Sequence, residues 1–297
     1  MKFFITDVFA ESRYSGNQLA TFLNAGHLPA AEMQQIAREI NFSETTFILS
    51  DTPRDGGYDV RIFTPGAEVD FAGHPTLGTA YIIAQHLQAG ASEEIVLNLK
   101  VGQVPVFRQA DASGQELLWM RQVAPTFGQV INPAALLDVL NLEPADIDSR
   151  WPIEEVSTGL PHVIVPLTSR QALQRLALDP PKYFQYTSQA WAKVILAFCP
   201  QGYTPNQALG VRVFPLALGI AEDPATGSGN GCLAAYLVRH GYFGSDSIDI
   251  IAGQGYQIGR PSALYLRASR QGQDYSIQVG GRVQPVAEGW WGEQPQA

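Results

Sequence analysis

Three side chains in this sequence have the type and the setting for proton chemistry. Glu44 opens the apolar run ETTFILS (44–50), with Phe42 before it and Phe47 inside it. Burial among aromatic rings disfavours the charged form of a carboxyl and moves it toward the range that a general acid/base needs. His74 stands in GHPTLG between a glycine and a proline, and Asp223 precedes Pro224 in EDPATGSGNG. Each also has an ordinary structural use: a solvated carboxylate at a strand edge, a buried imidazole, a turn cap. What lifts them above that is their placement around a pattern the chain carries twice.

Residues 61–86 read RIFTPGAEVDFAGHPTLGTAYIIAQH and residues 212–240 read RVFPLALGIAEDPATGSGNGCLAAYLVRH. Each copy runs Arg-apolar-Phe, a turn, a glycine with a small polar or imidazole residue, then a helix almost without charge. Gly73-His74 falls on Gly227-Ser228 and His86 on His240 at one common offset, while the turn of the second copy is longer. Pro75 is expected at the first helical position of one helix and Ser228 at the N-cap of the other. Glycine at a helix start allows close approach to free N–H groups at the positive end of the helix dipole. The backbones of Gly73, His74, Gly227 and Ser228 are therefore candidates for holding a substrate carboxylate. The alternative is that these glycines serve helix packing alone.

The elements that must position these groups are legible. Residues 71–92 and 224–238 contain no Asp, Glu, Lys or Arg. The first run is interrupted by Gly73, Pro75, Gly78, His74 and His86, so it is too short in apolar residues to span a bilayer. A helix neutral on every face belongs inside a protein, and two of them predict two lobes, each a sheet wrapped around its own central helix. Strands are expected at 3–9, 19–23, 44–50, 58–64, 95–99, 104–109 and 116–122, short β-branched or aromatic runs bounded by Gly, Pro, Asp or Asn. Among them, 30–40 carries a helical stripe of Met33, Ile36, Ala37 and Ile40. The second half gives helices in NPAALLDVLNL and near 169–177. Its strands are EVSTG, HVIVPL, KVILAFCP, VRVFPL, IDIIAG, ALYLRAS, YSIQVG and VQPVAEGWW. GNQLATFL (16–23) and GLPHVIVPL (159–167) extend the repeat upstream. The fold class is α+β, with an N-terminal lobe of residues 1–123, completed by the C-terminal strand 283–292, and a second lobe of 124–282.

Composition narrows the function classes. With 297 residues, 45% hydrophobic and 16% charged, the chain can build two cores of ordinary size. A net charge of −9 without a basic cluster argues against nucleic-acid binding. Asp7 and Glu11 arrive too early for a secretory apolar segment, so a cytoplasmic protein is expected. Cys199 and Cys232 give neither a disulfide framework nor metal-ligand spacing, and no dinucleotide or phosphate fingerprint is present. No metal or organic cofactor is expected.

FFITDVFAESRYSGNQLATFL, SET, FTPGAEVDFAGHPTLG and EDPATGSGNG, in that order, make the chain resemble the phenazine-biosynthesis-like (PhzF-type) isomerases. That family belongs to the fold superfamily of diaminopimelate epimerase and proline racemase. The resemblance extends almost to the C-terminus. It implies two similar lobes, each a β-barrel-like sheet around a central helix, an active site in the cleft between them, and a homodimer. It also implies Glu44 of SET as general acid/base, His74 and Asp223 as partners in proton transfer or substrate orientation, and the Gly73, His74, Gly227 and Ser228 backbone as the carboxylate cradle. Racemases and epimerases of this fold place a cysteine before each helix-opening glycine; here Ala72 and Thr226 fill those slots. Neither can serve as a thiol base. The expected activity is a cofactor-independent isomerase acting on a small unsaturated carboxylate or amino-acid-like substrate. A non-catalytic small-carboxylate binder of the same fold and a non-thiol epimerase are the alternatives.

Overall fold

A computed structural model describes residues 1–88, 92–111 and 114–292. The tail of the uncharged run 71–92, at 89–91, lies outside the described residues. The chain divides into two compact units, Met1–Met120 with the segment from Gly280 onward, and Arg121–Val279.

In the first unit the strands are β1 (Lys2–Val8), β2 (Asn17–Phe22), β3 (Glu44–Ile48), β4 (Tyr58–Phe63), β5 (Glu68–Val69), β6 (Glu94–Leu99), β7 (Gly102–Ala110) and β8 (Glu116–Arg121). The helices are α1 (Ala30–Ile40) and α2 (Gly73–His86). β1 pairs antiparallel with β2, β2 parallel with β3, β3 antiparallel with β4, β4 parallel with β6, and β6 antiparallel with β7. The second unit contains β9 (Thr126–Ile131), β10 (Ile153–Ser157), β11 (Pro161–Pro166), β12 (Val194–Cys199), β13 (Leu209–Phe214), β14 (Ser247–Gln254) and β15 (Ser262–Gln271). Its helices are α3 (Ala134–Leu140), α4 (Arg170–Arg175), α5 (Pro180–Thr187) and α6 (Gly227–Arg239). From β10 to β15 the pairings run antiparallel, parallel, antiparallel, parallel, antiparallel. That is the order of β1 to β7 with β5 set aside, so the repeat read from two short signatures extends to strand topology. Two strands complete the chain: β16 (Asp274–Gly281) and β17 (Val283–Trp290), the latter antiparallel to β1.

Each unit has its uncharged helix at the centre. α2 packs on β1, β2, β3, β6, β7 and β17, and α6 on β10, β11, β14 and β15. Residues 229–238 of α6 are all buried. Burying one Leu or Val side chain contributes roughly 1.5–3 kcal/mol, so Leu233, Leu237 and Val238 anchor the helix, whose single charged residue, Arg239 at its last position, pairs with Glu154 of β10 at 3.5 Å. Outside this wrap α1 covers the other face of its sheet, with Met33, Ile36 and Ala37 against Phe22, Phe47 and Phe63. α5 has no counterpart among the expected elements. Its Asp-Pro-Pro start reads as a turn, yet Asp179 is an N-cap accepting from the Lys182 amide at 3.0 Å, with proline where no N–H is needed.

The repeated arginine also acquires a role. Arg61 makes a two-pronged bond to Glu68, 2.8 Å in each prong, and Arg212 does the same with Glu222 at 2.9 and 2.7 Å. Each guanidinium also lies over the phenylalanine two residues on, Phe63 or Phe214. Arg212 additionally donates to the carbonyls of Leu173 and Leu176. Both braces tie a strand to the turn that leads into the central helix. For the more deeply buried Arg212–Glu222 pair, losing one partner is expected to cost about 3–5 kcal/mol.

His162, fully buried on β11, donates Nδ1–H to the Leu160 carbonyl at 2.8 Å. A Cβ at Gly229 would sit 3.0 Å from its Nε2, so α6 needs glycine there to pass the ring. Burial pushes the imidazole down from 6.5 to about 4. The unfolded chain therefore binds this proton first, and stability present above pH 6.5 is lost as pH falls toward 4, by at most about 1.4 kcal/mol per pH unit. The expected result is a urea midpoint that drops over this window and drops less steeply in His162→Asn. Parallel pH slopes in the two proteins would rule the assignment out.

Candidate active site

Glu44 is the first residue of β3 and His74 the second of α2. Strand alternation decides where the carboxyl points. Glu44 and Thr46 share the face toward α2, where Thr79 donates its hydroxyl to Thr46 at 2.8 Å and Thr46 lies 2.9 Å from Thr21 of β2. Phe47 lies on the opposite face, and with Phe42 it belongs to the cluster under α1. The aromatic rings flanking Glu44 in sequence are therefore not what surrounds its carboxyl. Its neighbour is an imidazole, with Glu44 Oε2 3.5 Å from His74 Nδ1.

The protonation of that imidazole follows from its other nitrogen. Nε2 of His74 lies 3.3 Å from the Gln18 carbonyl, which only accepts, so Nε2 carries the proton and Nδ1 presents a lone pair to Glu44. Burial, only partly opposed by the bond to Gln18, lowers His74 from 6.5 to about 3. The contact is consequently between a carboxyl and a neutral ring rather than an ion pair. A protonated Glu44 can donate to Nδ1, whereas an ionised one faces a lone pair. Glu68 shows the opposite design. Its bonds to Arg61 and Lys100 outweigh desolvation and hold it down to about 2, so it stays a carboxylate at any ordinary pH.

The first turns of the two central helices differ from expectation in detail. α2 begins at Gly73, so Pro75 occupies the third helical position, still within the turn whose N–H groups lack helical acceptors. α6 begins at Gly227 with Thr226 as N-cap, which places Ser228 second in the helix rather than at the cap. Neither Ala72 nor Thr226 caps its helix through a side chain. The Thr226 hydroxyl instead donates to Asp223 Oδ2. Asp223 is 7% exposed, and its backbone N–H bonds the Val213 carbonyl at 3.0 Å, closing the turn after β13. Glu44 and His74 are thus brought together in the first unit. Asp223, Gly227 and Ser228 belong to the second, in a cluster with Thr226, Asn230 and Gln254. Gln254 carried no sequence signal, because an isolated glutamine at the end of a strand has none.

The cysteines are unreactive in type. Cys232 is fully buried in α6, 3.5 Å from the Thr158 hydroxyl, and burial pushes its thiol up to about 11. Cys199 is buried and raised as well. Among the described residues no group of His, Cys, Asp and Glu could hold a metal ion, and no helix is long and apolar enough to cross a membrane.

Comparison with known proteins gives these features a family. Residues 6–289 match the model of the phenazine biosynthesis-like proteins, PhzC-PhzF. The chain is 35% identical over 290 residues to the trans-2,3-dihydro-3-hydroxyanthranilate isomerase of Pseudomonas aeruginosa, covering 97% of this chain and 98% of that one. It is 37% identical over 281 residues to the isomerase of the same name from Pseudomonas fluorescens, covering 93% and 94%. The crystal structure of a PhzF-family phenazine biosynthesis protein from Bacillus anthracis superposes with a TM-score of 0.88 at 27% identity, covering 97% of each chain. A probable proline racemase from Agrobacterium radiobacter shares the fold at a TM-score of 0.62 and 10% identity, covering 99% of this chain and 93% of that one. The chain belongs to the phenazine biosynthesis-like family, and it is an isomerase.

The proton assignment for His74 has a direct spectroscopic consequence. In ¹⁵N-resolved imidazole spectra His74 should remain neutral, with the proton on Nε2, from pH 8 down to about pH 4. An imidazolium signal from His74 at pH 6 would contradict it.

Proposed function

We propose that this isomerase moves a proton within a small unsaturated carboxylate without a cofactor, with Glu44 as the single acid/base. The observation that carries this is the 3.5 Å approach of the Glu44 carboxyl to the neutral imidazole of His74. A carboxyl that removes a proton at one carbon of an allylic system and returns it at another must be able to exist in both forms. His74 then orients the carboxyl and accepts from its protonated form. Asp223 is the second polar participant, held by the Thr226 hydroxyl. The amides that open α2 and α6, at Gly73, His74, Gly227 and Ser228, bind the substrate carboxylate. A ring such as that of trans-2,3-dihydro-3-hydroxyanthranilate, on which the relatives' names place their activity, fits this description: it is unsaturated, cyclic and carboxylated.

Thiol-based racemisation has no support here. Ala72 and Thr226 stand in the two cysteine slots, and both cysteines are buried with raised thiols.

Turnover of trans-2,3-dihydro-3-hydroxyanthranilate in deuterated water tests the chemistry. Glu44→Gln keeps shape and hydrogen bonding but cannot carry the proton, and should lose a factor of about 10² to 10⁴, mainly in kcat. His74→Ala should lose less, while Cys232→Ala and thiol alkylation should leave activity near normal. Full activity in Glu44→Gln together with loss in Cys232→Ala would sink the carboxylate mechanism. Binding is tested separately. Gly227→Val places a branched side chain over the opening of α6 and should weaken substrate affinity at least tenfold, and unchanged affinity would remove α6 from the carboxylate site.

A further inference from the structure

We infer that Gln254, at the end of β14, is a positioning residue that fixes the Asp223 carboxylate through Thr226. The inference rests on the proposed participation of Asp223 in the reaction. Gln254 is fully buried and every hydrogen-bonding capacity of its amide is used. Nε2 donates to the Asp223 carbonyl at 2.7 Å and to Thr226 Oγ1 at 3.0 Å. Oε1 accepts from the Thr226 N–H at 3.3 Å and from Asn230 Nδ2 at 2.8 Å. The orientation of the amide is not a free choice. A backbone N–H can only donate, so the atom facing Thr226 N must be the oxygen, and the –NH₂ must face Oγ1.

That order propagates. With Gln254 donating to Oγ1, the single hydroxyl proton of Thr226 is directed away from Gln254 and onto Asp223 Oδ2, where the bond is formed. The result is a chain of donors, Gln254 to Thr226 to Asp223, that ends on one chosen carboxylate oxygen. A hydrogen bond to an ionised acceptor is stronger than a neutral one, and a link inside a polarised chain is stronger still. The residue next to Gln254 reinforces the chain by contact. Gly255 adopts φ 78°, and a Cβ there would lie 2.6 Å from the Pro224 carbonyl oxygen. Only glycine lets this backbone press so closely against the residue that follows Asp223. Asn230 holds the far side, giving its amide both to Gln254 and to the Thr226 carbonyl at 3.0 Å.

The cap residue explains why the chain runs this way. A threonine at a helix N-cap ordinarily turns its oxygen onto the first-turn amides. Here those amides receive no side chain from Thr226, and the hydroxyl serves Asp223 instead. Threonine in this slot therefore leaves the helix opening without a side-chain cap of its own and supplies Asp223 with a donor.

Two substitutions probe the chain with little change of volume. Thr226→Val removes only the hydroxyl, Thr226→Ser restores it, and Gln254→Met removes the whole amide. Crystal structures of Thr226→Val and Gln254→Met should show the Asp223 carboxylate rotated out of its wild-type orientation or spread over several, with α6 unmoved. On trans-2,3-dihydro-3-hydroxyanthranilate, Thr226→Val should lower kcat 10- to 100-fold with KM changed less than threefold. Thr226→Ser should stay within threefold of wild type. In an Asp223→Asn background, Thr226→Val should have no further effect on kcat, whereas a purely structural role would leave its effect intact. An Asp223 carboxylate that keeps its orientation in both Thr226→Val and Gln254→Met overturns the inference. If Asp223→Asn itself keeps full turnover, the failure lies in the role proposed for Asp223. If Asp223→Asn loses turnover while Thr226→Val and Gln254→Met retain it, the failure lies in the positioning chain.

Discussion

Everything in this molecule depends on a helix that has no polar face. A helix neutral all the way round gains stability only if its whole circumference leaves water. In each unit this forces strands to wrap α2 or α6 on several sides, and it leaves the polar groups of the helix backbone at its two ends. The opening of such a helix carries N–H groups that the helix itself cannot satisfy. In both units that opening is made by glycine, and the N-cap residue gives it no side chain. The apolar requirement of the core and the polar character of the candidate site are thus two ends of one element.

The charged residues near these openings are sorted by their partners. Arg61 with Glu68 and Arg212 with Glu222 are two-pronged pairs, and they hold the turns that lead into the helices. Glu44 is given a neutral imidazole and Asp223 a hydroxyl. A carboxylate held two-pronged by a guanidinium serves the fold. In the proposed function Glu44 and Asp223 are the carboxylates that serve the reaction. The two kinds of carboxylate stand close together in sequence, Glu222 beside Asp223, yet they differ in kind through geometry alone.

Duplication supplied the frame and then diverged at the chemistry. The strand pairings and the arginine brace recur in both units, and so does the glycine that opens the central helix. Glu44 at the start of β3 has no carboxylate at the start of β12, where Val194 stands. Thr226 and Ala72 occupy corresponding slots, but only the former has a hydroxyl to give. Packing constrains the repeated parts, whereas the reacting groups need to appear only once.

Much of this was legible in the residues. The uncharged runs announce buried helices because no other environment suits them, and alternating β-branched strands bounded by glycine and proline announce the sheet around them. The repeated Arg-apolar-Phe and Gly-X signatures mark the duplication, and Glu44, His74 and Asp223 stand out by type. Four things needed the tertiary structure. Phe42 and Phe47 do not surround the Glu44 carboxyl, because Phe47, three residues on, faces the other side of β3 and Phe42 lies before the strand, in the cluster under α1. Both central helices start two residues earlier than expected, since cap geometry depends on what the preceding turn bonds to, and α5 hid behind its prolines. Gln254 was invisible, because a glutamine becomes a positioning group only when folding buries its amide among partners that dictate its orientation. Sequence determined which groups are available and which helices must be buried; long-range contact alone decided which carboxylate meets a neutral partner, because that is fixed by residues distant along the chain.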